Sequence, residues 1–192
     1  MGFKRAFAII ALCTICFFTL KAPNALAKKI KVTASKEALE AAYLYKFLYF
    51  ITWPPTAKNP DASDDSISIC VVGDNPFGDL LSHIEGKTIL KGKKRIKICQ
   101  AGSIKEFESP DICQLLYLAL DDREAIKAVL KLVRDLPVVT VSNRKNFLDY
   151  GGIIRLLVKD GRLRWEINMK QARRVKLGIS SQLLRNAIRV IK

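Results

Sequence analysis

The chain has 192 residues, 49% of them hydrophobic and 27% charged, and 33 Lys and Arg against 18 Asp and Glu give a formal charge of +15. That length fits one domain plus a removable segment, and the composition excludes a disordered chain, a collagen-like fibre or a low-complexity linker. So large a positive excess points to an anionic partner: nucleic acid, a membrane surface or an acidic protein.

The first residues narrow that choice. Lys4 and Arg5 form a basic start, Ala6 to Leu20 is an uncharged, mainly apolar run, and Pro23-Asn24 breaks it before Ala25-Leu26-Ala27. The run is shorter than the ~20 residues of a membrane span. Order and lengths match a secretory signal with small residues at the cleavage site. We therefore expect residues 1–27 to be removed after Ala27, leaving one exported domain over 28–192. The competing expectation is an uncleaved anchor. Cys13 and Cys16 lie inside the apolar run behind bulky neighbours, which argues against lipidation there. Outside the cytoplasm nucleic acid is a poor partner, so the basic surface is expected to meet acidic lipid or protein. No later apolar stretch approaches the length of a span.

Ser35 is a cap for a helix running to about Phe50, strongly apolar through Leu39, Ala42, Tyr43, Tyr45, Phe47, Leu48 and Phe50, and stopped by Trp53-Pro54-Pro55. Such a helix is either deeply buried or meets a partner. Asn59 to Ser66 is a polar turn, and Ser66 to Val72 reads as a strand. Gly73-Asp-Asn-Pro-Phe-Gly78 then leads into a helix starting near Pro76 and ending near Gly86. Lys87–Leu90 and Lys94–Cys99 read as strands around a Lys91-Gly92-Lys93 turn, and Ser103 caps a short helix. Ile112–Leu120 has the continuous apolar character of a strand buried on both faces. Asp121–Asp135 is an amphipathic helix with Ile126, Val129, Leu130 and Val133 at helical spacing, ended by Pro137 ahead of the strand Val138–Val141. Ile153–Val158 and Leu163–Ile167 meet at Asp160-Gly161, a hairpin signal. Asn168 caps a short basic helix. Ser180 or Ser181 caps a final one with Leu184, Ile188 and Ile191 along one side. Alternating strands and helices predict an α/β fold, a largely parallel sheet flanked by helices, with a C-terminal antiparallel hairpin and a single domain.

Few residues suggest chemistry. Asp74 and Asn75 sit at a strand-to-helix junction, where α/β proteins tend to bind ligands, but the GxGxxG and P-loop spacings are absent and Asp74 repels phosphate. Ser82-His83 lacks a third member, and Asp121-Asp122 opens a helix as acids commonly do. No catalytic residue and no cofactor is assigned. The cysteines of the mature chain are Cys70, Cys99 and Cys113, an odd number that predicts one disulfide and one leftover thiol. With no CxxC and His83 the only histidine, no metal site is assigned. Basic residues crowd Lys91–Lys97 and the segment from Lys170 to Lys192, which holds no acid. This is either a solvated face or a docking surface for acidic groups.

Several segments in order resemble the YfiR family: Ala41-Ala-Tyr-Leu-Tyr-Lys-Phe47 with Trp53-Pro54, Cys70-Val-Val-Gly-Asp-Asn-Pro-Phe-Gly78, Tyr150-Gly-Gly-Ile153, Val158-Lys-Asp-Gly161, Trp165-Glu-Ile-Asn168 and Leu177-Gly-Ile-Ser-Ser181. The likeness spans Leu39 to Arg189. It implies a regulator and not an enzyme: a periplasmic, dimeric repressor of cyclic-di-GMP signalling and biofilm formation. Such a repressor restrains an inner-membrane diguanylate cyclase of the YfiN type through its periplasmic sensor domain. An outer-membrane lipoprotein of the YfiB type is a further implied partner, and some relatives serve histidine kinases. The resemblance pairs Cys70 with Cys113 and leaves Cys99 as the free thiol. The family's second disulfide has no counterpart, since no cysteine follows Cys113. For partner contact we single out Tyr43, Phe47 and Phe50 on the first helix and Arg173, Arg174 and Lys176 near the C-terminus. The alternative function is a small-molecule-binding protein or enzyme using the crevice near Asp74 and Asn75.

Overall fold

Ser35 begins the first helix, its hydroxyl accepting the Ala38 N–H at 3.1 Å, and α1 runs Lys36–Phe50. The computed structural model describes residues 34–55, 57, 65–90, 92–107 and 109–192. The expected leader at 1–27 and most of the polar turn after Asn59 lie outside them. The remaining elements are β1 (Ile51–Thr52), β2 (Ser66–Gly73), β3 (Thr88–Ile89), β4 (Lys94–Ala101), β5 (Leu115–Ala119), α2 (Arg123–Leu132), β6 (Val139–Ser142), β7 (Ile154–Lys159), β8 (Arg162–Asn168), α3 (Met169–Arg174), β9 (Gly178–Ile179), α4 (Ser181–Arg185) and β10 (Arg189–Ile191).

Eight strands form one sheet in the order β10-β8-β7-β6-β5-β2-β4-β3. The pairs β2–β4, β2–β5, β5–β6, β6–β7 and β8–β10 are parallel, while β3–β4 and β7–β8 are antiparallel. This is the predicted class: a mostly parallel sheet flanked by helices, one domain, with the β7–β8 hairpin near the C-terminal end. Asp160 (φ +52°) and Gly161 (φ +67°) supply the two left-handed residues that hairpin turn requires. Strand alternation divides the core between the two faces. Ile69, Val71, Tyr117, Val141 and Trp165 meet α1, and Cys70, Val72, Leu116, Leu118 and Phe147 meet α2.

The apolar α1 proves to be a surface helix with one buried stripe: Glu40, Ala41, Leu44, Phe47 and Leu48. Leu39 and Tyr49 are exposed and Tyr43, Tyr45 and Phe50 half-buried. On α2, Asp122 caps the N-terminus by accepting the Ala125 N–H at 2.7 Å, and Ile126, Val129 and Leu130 face the sheet.

Three expectations are corrected. In place of a helix after Pro76 there are two single turns of 3₁₀ helix, Gly78–Leu80 and Ser82–Ile84. The Asn75 side-chain oxygen accepts the Phe77 N–H at 2.9 Å and Gly78 takes φ +49°, which together curl the chain too tightly for a longer helix. Ser103 starts only a turn, its hydroxyl donating to Glu106 at 3.0 Å, and the helical piece that follows is the 3₁₀ turn Pro110–Ile112. The final helix stops at Arg185. The next residues form β10, Ile188 N–H donating to Trp165 O at 2.9 Å and Val190 pairing with Ile167. The edge of β8 offers unpaired backbone groups that an extended tail satisfies. Leu184 accordingly packs on the α1 side and Ile191 on the α2 side, so they share no helix face.

Candidate partner-binding surface

The half-buried aromatic flank of α1 faces β8. Trp165 is fixed there because its indole N–H donates to Leu183 O of α4 at 3.1 Å. Its ring centroid lies 5.2 Å from that of Tyr43 and 6.0 Å from that of Phe47. With Phe50, Lys46, Arg164 and Gln182 these residues bound an open cavity of about 460 Å³. Among the described residues its charged lining is Lys46 and Arg164, both cationic, so an aromatic floor carries a positive rim. The Lys46 ammonium sits 5.3 Å from the Tyr43 ring centroid, within cation–π range. Phe47 is wholly buried, so it supports the floor and offers little surface to a partner. Tyr43 and Phe50 are partly exposed. Tyr49, on the exposed side, shares a 2.7 Å hydroxyl–hydroxyl hydrogen bond with Tyr45, which raises the Tyr49 pKa above the ordinary tyrosine value.

Arg173, Arg174 and Lys176 are exposed at the end of α3. Arg174 is not free: its guanidinium donates to Asp135 at 2.8 Å through Nε and 2.7 Å through a terminal nitrogen. Gln171 Nε2 donates to Arg134 O at 2.8 Å. These bonds dock α3 on the end of α2 and enlarge the basic surface with residues that the sequence reading passed over. Lys127, Lys131 and Arg134 line a second cavity of about 330 Å³ with Asp149 and Tyr150. The i, i+4 spacing of Lys127 and Lys131 was the available signal. This basic face and the aromatic groove share no lining residue.

Asp74 is exposed, and Asn75 spends its side-chain oxygen on shaping the loop that delivers Phe77 to the core, where it packs edge-on against Tyr117 at 4.7 Å. Neither residue lines the two cavities above. His83 is engaged within its own turn, Nδ1 lying 2.7 Å from Asp79 O.

The cysteines converge on the α2 side of the sheet. Cys70 on β2 pairs in register with Cys99 on β4, and Cys113 lies just ahead of β5. The Cys70 sulfur is at bonding distance from both Cys99 and Cys113. The expected Cys70–Cys113 bond is thus within reach, and so is Cys70–Cys99, which sequence reasoning left aside. All three sulfurs lie within 4.8 Å of one another, a cluster hidden in the sequence because only sheet register assembles it. Either bond closes a loop, with sequence separations of 29 and 43 residues, worth ~3–4 kcal/mol by chain entropy. Cys70→Ser removes both choices. It is expected to lower stability by ~3 kcal/mol in oxidised protein and far less under reduction, as read from urea midpoints in the two conditions.

A sheet with helices on both faces, an open aromatic groove and a separate basic face define an α/β domain. A YfiR/HmsC-like family model matches residues 37–188, and the chain belongs to that family. The family is one of periplasmic regulatory proteins in cyclic-di-GMP signalling, regulatory and not catalytic, and the disulfide-bonding cysteines suit an oxidising compartment. No curated protein matches the sequence. Among solved structures, a conserved domain protein from Vibrio cholerae O1 biovar El Tor aligns with a TM-score of 0.52 at 14% identity. The alignment covers 81% of this chain and 60% of that one, and the likeness is one of fold.

Proposed function

We propose that this protein is exported, loses residues 1–27 and acts in the periplasm as a dimeric repressor of an inner-membrane signalling protein, a YfiN-type diguanylate cyclase. The observation that carries the reading is the groove beside α1: Tyr43 and Phe50 keep partly exposed aromatic surface over a floor of buried Phe47 and Trp165, in a protein whose family is regulatory. Aromatic and arginine side chains are the usual anchors of protein interfaces. The basic face of α3 orients an acidic sensor domain and speeds encounter more than it adds affinity. A YfiB-type lipoprotein competing for the repressor, or a histidine kinase in place of the cyclase, belongs to the same reading.

Deleting the gene tests it directly, and cyclic-di-GMP is expected to rise. An unchanged level removes the cyclase from the reading. Charge reversal tests the surface. The double change Arg173→Glu with Lys176→Glu keeps the Arg174–Asp135 pair and is expected to weaken repression by roughly tenfold at unchanged abundance, through slower association. Normal cyclic-di-GMP in the double variant removes the basic face from the mechanism. Small-molecule binding is favoured by one observation, a groove volume within the ~300–1,000 Å³ of ligand pockets, and it falls at α1 and β8 and not near Asp74.

A further inference from the structure

Cys70 has a cysteine on each side. Cys99 lies directly across in β4 at a Cα–Cα separation of 4.5 Å, and Cys113 lies ahead of β5 at 6.1 Å. Both separations fall within the ~4.4–6.8 Å that a disulfide spans. One sulfur holds one disulfide partner, so the two pairings are alternatives, and in either the third sulfur stays within 4.8 Å of the bond. We propose that Cys70, Cys99 and Cys113 form a thiol–disulfide exchange site in which Cys70 stays bonded while Cys99 and Cys113 alternate as partner and free thiol.

The step needs no external oxidant or reductant. The Cys99 thiol gives its proton to solvent, and the thiolate attacks the Cys70 sulfur. A Cys99–Cys70 bond forms as the Cys70–Cys113 bond breaks, its electron pair leaving on the Cys113 sulfur, which takes up a proton. One disulfide and one thiol exist before and after. The same three sulfurs would be soft-metal donors if fully reduced, but a disulfide consumes two of them, so exchange is the chemistry of the oxidised protein.

Surroundings give the two isomers different properties. A cavity of about 200 Å³ lies against all three cysteines, walled by Glu106, Phe107 and Ile112. Cys99 is partly exposed, whereas Cys70 and Cys113 are 1% and 2% exposed. With Cys70–Cys113 formed, the free thiol is the accessible one. With Cys70–Cys99 formed, it is buried. Exchange also moves the staple. Cys70–Cys99 joins two strands already hydrogen-bonded side by side, whereas Cys70–Cys113 ties β2 to the segment entering β5. The reaction therefore fastens or frees the connection between β4 and β5.

The oxidised mature chain, shifted from about pH 4 to about pH 8, quenched in acid at intervals and digested with pepsin in acid, reports the linkages by mass spectrometry while exchange is frozen. Expected are both Cys70–Cys99 and Cys70–Cys113 peptides, in a ratio that relaxes after the shift and stops on acidification. Cys99→Ser is expected to abolish maleimide labelling of the folded protein and leave Cys70–Cys113 alone. Cys113→Ser is expected to give Cys70–Cys99 alone, with the circular dichroism of the parent. A single linkage in the unmodified chain at every time point, a ratio that never moves, or a Cys99–Cys113 bond overturns the proposal. None of these results depends on the cyclase reading.

Discussion

Gly73→Ala is expected to destabilise the domain by about 4 kcal/mol, a large share of the ~5–15 kcal/mol that holds a domain folded. Gly73 ends β2 with φ +100°, a left-handed value that alanine adopts only at a cost of ~1–3 kcal/mol. Space is the second cost. A Cβ there would stand 2.6 Å from the Ala119 carbonyl oxygen and 2.9 Å from Leu120 Cδ2. The oxygen belongs to backbone in the middle of the sheet, since Gly73 and Ala119 are register partners of β2 and β5, and it cannot withdraw without breaking the pairing. Overpacking of this kind adds ~1–3 kcal/mol. The same glycine also sets the exit angle that brings Phe77 back onto Tyr117, so loss of that contact should show in near-ultraviolet circular dichroism. A urea midpoint equal to that of the parent would mean that β2 and β5 move apart at little cost.

Local signals are legible where one residue decides the outcome, as at helix caps and the hairpin turn, and mislead where loop geometry overrides them, as after Pro76 and at Ser103. Ser35, Asn168 and Ser180 each cap the helix that follows as expected, Asp122 of the acidic pair caps a helix expected to start at Asp121, and the hairpin turn sits at Asp160-Gly161. What escaped depended on partners far along the chain. β1 and β9 have two residues each, too few for any periodicity, and exist because Ile51 pairs with Ile179. The helical spacing of Leu184, Ile188 and Ile191 predicts helix where β10 forms, because the edge of β8 that captures the tail is invisible locally. The site was half legible. Tyr43 and Phe50 stood out as excess aromatic residues on α1, but Trp165 and Arg164, which complete the groove, needed the packing of α1 on β8. Cys99 was set apart from Cys70 for the same reason: neighbourhood across parallel strands leaves no spacing rule in the sequence.

Tyr117→Phe is expected to lower stability near neutral pH by about 2–3 kcal/mol and to flatten the alkaline limb of the stability curve. Tyr117 rises from β5 beneath α1 and donates its hydroxyl to Glu40 at 2.8 Å, within a core where both side chains are 1% exposed. Asn143 Nδ2 also donates to Glu40, at 3.2 and 3.3 Å, and the Lys36 ammonium stands 3.6 Å away. Phenylalanine would keep the ring and leave the buried carboxyl group short of its shortest hydrogen bond, a loss typical of bonds to charged partners. Burial, then the charge and the hydrogen bond of Glu40, hold the Tyr117 pKa far above the ordinary tyrosine value near 10. Below about pH 10 the hydroxyl keeps its proton in both folded and unfolded chains, so its contribution is complete. Above that pH the unfolded chain loses the proton and the folded one does not, which favours unfolding by ~1.4 kcal/mol for each further pH unit. Alkaline effects common to parent and variant cancel in their difference, so that difference is the informative quantity. That difference is expected to shrink from about pH 9 to about pH 11, as urea midpoints at each pH would show. A constant difference would mean that Tyr117 ionises in the fold as it does in water, and that the Glu40 network does not hold its proton.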